Sequence, residues 1–244
     1  MEFDRIYAEV DLGRIEENMK AMKEHLRPGT KMYGVVKTDA YGHGAVPVAR
    51  TIDRFVCGYA VATVDEGLKL RRHGIEKEIL SLGPVSAGRY QECLEKVFSL
   101  PVFEYRRAKE LSDAAVAEGK TAKIHIAVDT GMSRIGLFPD EGSVETVKEI
   151  AELPALRIAG MFTHFARADE ADKTNAGEQY RRFREFCDDV KAAGVAVPVC
   201  HCSNSAGIVE LPDFNMDAVR AGITIYGMYP SDEVKQDIIS LKPA

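Results

Sequence analysis

Short apolar runs alternate with amphipathic stretches along the whole chain. The apolar runs begin near Lys31, Val56, Glu78, Val97, Ala122, Leu156, Val197 and Val219. Each is short, and polar turn residues separate it from the helical pattern that follows. This arrangement is typical of parallel strands that are covered by helices on both faces of a sheet.

The stretches between the runs have the spacing of helices that bury one face. The first places Ile15, Met19, Met22 and Leu26 on one stripe. A second is predicted to begin with Ser143 as its N-cap and to turn Val144, Val147 and Ile150 inward. A third aligns Tyr180, Phe183, Cys187 and Val190 and is predicted to stop at Gly194.

Eight strands that alternate with helices in 244 residues predict an α/β fold of the (β/α)8 TIM-barrel type. A doubly wound open sheet is the alternative. It is disfavoured because no Gly-x-Gly-x-x-Gly turn follows an early strand.

Composition and charge exclude several classes of function. The net charge of −6 at pH 7 argues against nucleic acid or an anionic membrane as a partner. No apolar run approaches the roughly 20 residues of a membrane span, and Met1 leads into charged residues rather than a signal peptide. Five cysteines without framework spacing favour reduced thiols in a cytoplasmic enzyme.

The Cys-His-Cys sequence at 200–202 has the composition of a metal site. Alternation along a strand would turn His201 away from both sulfurs, and no further ligands follow at finger or ribbon spacing. No metal site is therefore predicted.

Reactive and polar side chains are concentrated at the predicted carboxyl ends of strands, where barrels carry their chemistry. They are Lys37, Tyr41, Arg134, His164, Asn204, Ser205, Arg220, Gly222 and Ile223. Each alone has an ordinary explanation, such as a solvated lysine, a surface ion pair, a core histidine or a turn residue. Their coincidence favours function, because a lysine beside a phosphate site is how proteins hold pyridoxal phosphate, through a Schiff base. No role is predicted for His25, His43, His73 or His125.

Five segments strengthen this interpretation, because in this order they resemble the N-terminal barrel domain of alanine racemase. The segments are VVKTDAYGHG, DTGMSRIG, THFARADEADKT, HCSNSAG and VRAGITIYG. The resemblance implies a pyridoxal 5'-phosphate-dependent isomerase that interconverts L- and D-alanine and supplies D-alanine for cell-wall peptidoglycan. It also implies a homodimer.

The resemblance assigns a role to each residue. Lys37 is implied to carry the cofactor and to act as one of two racemising bases. Tyr41, Asn204, Ser205, Gly222 and Ile223 are implied to bind the cofactor, mainly at its phosphate. His164 is expected beside the cofactor ring with His201 behind it, Arg134 at the phenolic oxygen and Arg220 at the pyridine nitrogen. A guanidinium stays protonated and does not readily pass its proton to the pyridine nitrogen. A cofactor ring paired with Arg220 would therefore be a weaker electron sink than one paired with a carboxylate.

Two features depart from the family pattern. Many members have a lysine, often carbamylated, where this chain has Ala127, so Arg134 must be held in another way. Family members also continue into a β-rich C-terminal domain, which supplies a tyrosine as second base to the other subunit's site. The chain is therefore expected to be inactive alone, with a domain-pairing strand at 1–11 (Ile6, Ala8 and Val10 alternate), a barrel at 12–230 and a linker at 231–244.

Two other functions remain open at this stage. One is a single-domain pyridoxal-phosphate carrier, since such barrels resemble this chain in fold and length. The other is a racemase of another small amino acid, such as serine.

Overall fold

The computed structural model describes residues 7–244, and its centre is a closed barrel of parallel strands. The eight strands are β1 (Lys31–Val35), β2 (Gly58–Val61), β3 (Glu78–Ser81), β4 (Phe98–Val102), β5 (Ala122–Ala127), β6 (Leu156–Phe162), β7 (Cys200–His201) and β8 (Ala218–Ala221). They pair in chain order, and β1 closes the barrel against β8 with Lys31 opposite Ala218. The predicted TIM barrel is confirmed.

Helices surround the strands, which explains why the strands are apolar on both faces. They are α1 (Leu12–His25), the short turn α2 (Lys37–Tyr41), α3 (Ala45–Ile52), α4 (Val64–Arg72), α5 (Tyr90–Glu95), α6 (Tyr105–Ala117), α7 (Glu141–Ala151), α8 (Thr174–Ala192) and α9 (Ser205–Glu210). The predicted stripe of α1 is buried, with Ile15, Met19 and Met22 fully inaccessible. Asp11 caps this helix by accepting the N–H groups of Gly13 and Arg14.

The predicted start of α7 is wrong by three residues. Asp140 is the N-cap, and its carboxylate accepts the Ser143 N–H at 2.8 Å. Ser143 lies inside the first turn, where the aspartate three residues earlier accepts its backbone N–H. The stop of α8 is as predicted, since Gly194 takes the left-handed backbone with φ of 88° just beyond the helix.

The segment 231–244 packs against the barrel. Asn18 on α1 donates to the Lys242 carbonyl at 2.9 Å and accepts the Lys242 N–H at 2.8 Å. Val234, Ile239 and Leu241 are buried. Residues 7–11 have no regular secondary structure, and Ile6 lies outside the described residues. The division into strand, barrel and linker remains a prediction.

The strand alternation predicted at 200–202 is confirmed. The Cys202 thiol reaches the Phe214 carbonyl outside the barrel, whereas His201 contacts Arg220 and His125 inside it. The described residues contain no cluster of His, Cys, Asp and Glu suited to a metal ion. No helix within residues 7–244 combines the length and apolar character of a membrane span.

Candidate active site

A cavity of about 540 Å³ opens at the carboxyl ends of the strands, within the range of small-molecule sites. Its wall contains every predicted cofactor-binding residue, namely Lys37, Tyr41, Arg134, His164, Asn204, Ser205, Arg220, Gly222 and Ile223. His201 lies behind this wall, fully buried. The barrel therefore brings together side chains that are almost 190 positions apart in the sequence, from Lys37 to Ile223.

Lys37 enters the cavity from an unusual piece of backbone. The four residues that follow it, Thr38 to Tyr41, all have positive φ between 51° and 56°. Left-handed backbone costs roughly 1–2 kcal/mol for each such residue, so tertiary contacts must hold the turn. Asp39 contributes by accepting the Ala45 N–H at 2.9 Å and pairing with Lys69 at 2.7 Å.

The Lys37 ammonium has no hydrogen bond or ion pair to any residue between 7 and 244. It lies 5.6 Å from the centre of the Tyr41 ring. The side chain is half-buried on the cavity wall. A lysine that follows a buried strand thus has an amine that faces a pocket and is not engaged by a carboxylate among the described residues.

Two hydroxyls and a glycine form a small cradle at one side of the cavity. Ser205 Oγ accepts the N–H of Gly222 at 3.1 Å and that of Thr224 at 3.4 Å. A Cβ atom placed on Gly222 would lie 3.4 Å from both Ser205 Oγ and the Tyr41 hydroxyl. Burial raises the pKa of Tyr41, so the phenol keeps its proton and can donate it to an anion.

Asn204 caps α9, the helix that begins at Ser205 of the cradle. Its side-chain oxygen caps α9 by accepting the Gly207 N–H at 3.1 Å. The residue is on the cavity wall, but this cap occupies its carbonyl oxygen.

Arg220 is buried at the base of the cavity, with an exposed fraction of 3%. It donates to the carbonyl oxygens of Thr163 at 2.8 Å and Cys202 at 3.0 Å, and contacts His164 Nδ1 at 3.1 Å. Burial lowers the pKa of Arg220 to about 10, which leaves it protonated at neutral pH.

His164 is neutral beside this guanidinium. Because Arg220 can only donate, His164 Nδ1 must accept. Burial, and then the positive charges of Arg220, Arg134 and Lys37, lower the pKa of His164 to about 3. The cavity therefore holds fixed positive charges and an uncharged imidazole.

The loop after β5 carries Arg134 without the lysine of the family pattern. Asp129 holds the loop by accepting the N–H groups of Gly131 and Ser133, each at 3.0 Å. Arg134 itself has no hydrogen bond or ion pair to a described residue, and Ala127 is buried in β5. The backbone of the loop is fixed while the guanidinium on the cavity wall is left unpaired.

Sequence reasoning missed a polar chain behind Arg220. His201 Nδ1 lies 2.7 Å from Arg220 Nη1, and His201 Nε2 lies 3.0 Å from Nδ1 of His125. No role was predicted for His125. A signal was present, because His125 is the polar residue between Ile124 and Ile126 in a buried strand, a position that alternation turns into the barrel.

The family profile described as alanine racemase, N-terminal domain, matches residues 10–230. The chain belongs to the alanine racemase family. The alanine racemase of Clostridium novyi (strain NT) is 44% identical over 98% of this chain, and that of Clostridium tetani is 39% identical over 98%. The chain spans 62% of the length of each of these relatives.

Solved structures of this family have the same barrel. Alanine racemase from Clostridium difficile 630 superposes with a TM-score of 0.94 at 38% identity, over 96% of this chain and 62% of that one. The Bacillus anthracis alanine racemase with bound L-Ala-P superposes with a TM-score of 0.91 at 35% identity, over 99% and 64%. The predicted family resemblance is confirmed.

Proposed function

We propose that this chain is the cofactor-binding barrel of a pyridoxal 5'-phosphate-dependent alanine racemase. The observation that carries the proposal is the convergence, in one cavity, of an unpaired lysine amine with a cradle for an anion and a buried arginine. Membership of the alanine racemase family supports the same assignment.

The residues present fit this cofactor. The gap bounded by Ser205, Gly222 and Tyr41 offers donors to a phosphate without a side chain in the way. Because Ser205 Oγ accepts backbone N–H groups, its own proton is available to a phosphate oxygen. Arg220 would donate to the pyridine nitrogen, and Arg134 would face the phenolic oxygen.

Lys37 would hold the cofactor covalently and, once released by a substrate amine, remove or return the proton at the substrate α-carbon. When bound, the cofactor supplies the electron sink that makes this proton removable. His164, kept neutral by burial and by Arg220, would lie against the ring without adding charge. The unpaired guanidinium of Arg134 leaves the cavity attractive to the substrate carboxylate.

Racemisation requires proton transfer on both faces of the α-carbon, and one lysine serves one face. Neither Tyr41 on the cavity wall nor Tyr226, which packs against it, replaces the second base. Tyr226 donates its hydroxyl proton to the Val35 carbonyl at 3.0 Å, and the Tyr41 hydroxyl belongs to the cradle. We therefore assign the second base to a tyrosine of another subunit's C-terminal domain in a homodimer, with 231–244 leading toward such a domain.

Alanine is the substrate that this proposal names. The Clostridium difficile enzyme has been solved in complex with cycloserine and the Bacillus anthracis enzyme with L-Ala-P. Both enzymes are close to this chain in the barrel.

The test is to mix the 244-residue chain with pyridoxal phosphate, reduce it with borohydride and map the labelled peptide. The label should fall on Lys37, and Lys37→Ala should remove it, while the matched surface variant Lys20→Ala should not. A label at any other lysine would refute the assignment. Racemisation assayed on the same chain should be low, because general acid–base groups contribute about 10²–10⁴-fold. Full turnover would place the second base within residues 1–244.

A further inference from the structure

A chain of polar side chains, buried except for its partly exposed last member, leads from Arg220 through the barrel interior to the opposite end. Its members are Arg220, His201, His125 and Glu78. His125 and His201 are at most 1% exposed, and Glu78 is the first residue of β3. Glu78 therefore lies at the amino ends of the strands, away from the cavity.

The direction of every hydrogen bond in this chain follows from Arg220. A guanidinium has no acceptor, so His201 Nδ1 accepts from Arg220 Nη1 and the ring carries its proton on Nε2. That Nε2–H must then donate to His125 Nδ1 at 3.0 Å. His125 in turn carries its proton on Nε2, which lies 3.9 Å from Glu78 Oε1.

The surroundings of Glu78, at the end of this series of side chains, favour its ionised carboxylate. It accepts the Tyr33 hydroxyl at 2.8 Å and the Ser99 hydroxyl. Burial would raise the pKa of Glu78, whereas the hydrogen bonds from Ser99 and Tyr33 act in the opposite direction and favour the carboxylate. His125 Nε2 has no hydrogen-bond partner among the described residues, and its separation of 3.9 Å from Glu78 Oε1 exceeds a hydrogen bond, so the carboxylate acts on this ring through its charge.

Two glycines in the strands, Gly160 in β6 and Gly58 in β2, leave space for these side chains. A Cβ atom on Gly160 would lie 2.6 Å from two atoms of the His125 ring. A Cβ atom on Gly58 would lie 2.8 Å from the Glu78 backbone oxygen and 3.1 Å from the Tyr33 ring. Any larger residue at either position would displace a member of the chain.

Arg220 has no carboxylate partner of its own. Its partners among the described residues are carbonyl oxygens and the two imidazoles. A buried charge needs compensation, and the chain ends on a negative charge. If the hydrogen bonds ran in the opposite direction, His201 Nδ1 would carry a proton, and this proton would face the N–H donor of Arg220.

We propose that Glu78 is a remote positioning residue, which acts through His125 and His201 to hold Arg220 in its orientation at the base of the cavity. The carboxylate favours the direction of hydrogen bonding in which His201 accepts from Arg220. The inference rests on the proposed function only for what Arg220 does with a cofactor, since the chain itself is independent of any ligand.

The test is ¹⁵N NMR of the histidine rings and of the Arg220 guanidinium in the chain without added cofactor. In the native sequence, His201 and His125 should each be neutral and protonated only on Nε2, and the Arg220 Nη protons should exchange slowly. Glu78→Gln removes the charge and keeps the shape. It should mix the His201 tautomers and accelerate Arg220 exchange, whereas Ser99→Ala, which removes one hydrogen bond but no charge, should not.

Two further variants keep the inference testable. His125→Phe interrupts the series of polar side chains and should accelerate exchange of the Arg220 protons even if Glu78→Gln does not fold. Glu78→Asp keeps the negative charge, and its spectrum should be closer to the native one than that of Glu78→Gln. Pyridoxal phosphate affinity should fall about tenfold in Glu78→Gln, the low end of what outer partners contribute at metal centres. Unchanged Arg220 exchange in the folded variants would overturn the inference. Failure of the native chain to bind pyridoxal phosphate would instead count against the proposed function.

Discussion

Ser205 offers the sharpest test of the cradle, because its hydroxyl accepts hydrogen bonds within the protein and is also proposed to donate one to the cofactor phosphate. Its oxygen accepts the N–H groups of Gly222 and Thr224 and the Thr224 hydroxyl. Ser205→Ala removes this acceptor and leaves buried donors unpaired, at a cost of about 1–3 kcal/mol. For a chain of this size, that corresponds to a fall in Tm of about 2–4 °C for each kcal/mol.

The same substitution should weaken binding of pyridoxal phosphate. A hydrogen bond to a charged group contributes about 1.5–3 kcal/mol, so the Kd should rise about 10–100-fold. Ser203→Ala is the matched control, since Ser203 is fully buried two residues earlier but is not on the cavity wall. Its hydroxyl donates to the Phe214 carbonyl at 3.3 Å, which Cys202 also contacts.

The two variants separate folding from binding when thermal unfolding and cofactor titration are measured on both. Ser203→Ala should lose a little stability and no affinity, and Ser205→Ala should lose both. Equal affinities in the two variants would show that the phosphate does not lie in this cradle, whatever the stability changes.

Two more predictions concern the backbone and the imidazole of the site. Thr38→Gly should raise the free energy of unfolding by about 0.5–1 kcal/mol in denaturant titrations, because relief of left-handed strain exceeds the entropy that glycine adds to the unfolded chain. The control Thr146→Gly, inside α7, should lower the free energy of unfolding. A lower free energy of unfolding in both variants would refute the strain argument. The pKa of His164 is lowered from 6.5 to about 3, so the unfolded chain binds more protons between these values and stability must fall as the pH falls below 6.5, by up to about 1.4 kcal/mol per pH unit. His164→Asn should make this slope shallower, and an unchanged slope would mean that His164 is not held neutral.

Hydrophobic periodicity was enough to predict the eight strands and the barrel. Buried parallel strands need apolar residues on both faces, and this requirement is local and therefore visible in the sequence. The extent of pairing is not local, as β7 shows. The apolar run begins at Val197, yet only Cys200 and His201 pair as a strand, because pairing also depends on the course of β6 and β8.

The cavity wall was predictable where it coincides with strand ends, as for Lys37 after β1 and His164 after β6. The left-handed turn was not, since Thr38 and Ala40 are residues that normally avoid positive φ. Partners 28 and 30 residues away hold it, through Glu66 to the Thr38 N–H and Lys69 to Asp39. Local propensity contains no record of such contacts.

The placement of Glu78 has a consequence for the electrostatics of the cavity. A carboxylate beside Arg220 would pair with it directly and cancel its charge at the base of the cavity. Two imidazoles lie between them, so the carboxylate is away from the cavity, where Arg220, Lys37 and Arg134 have no carboxylate partner among the described residues. Fixed positive groups that need no rearrangement are the form in which a protein stabilises an anion most effectively. The barrel interior thus keeps the Glu78 carboxylate at the far end of the strands from the positive groups on the cavity wall.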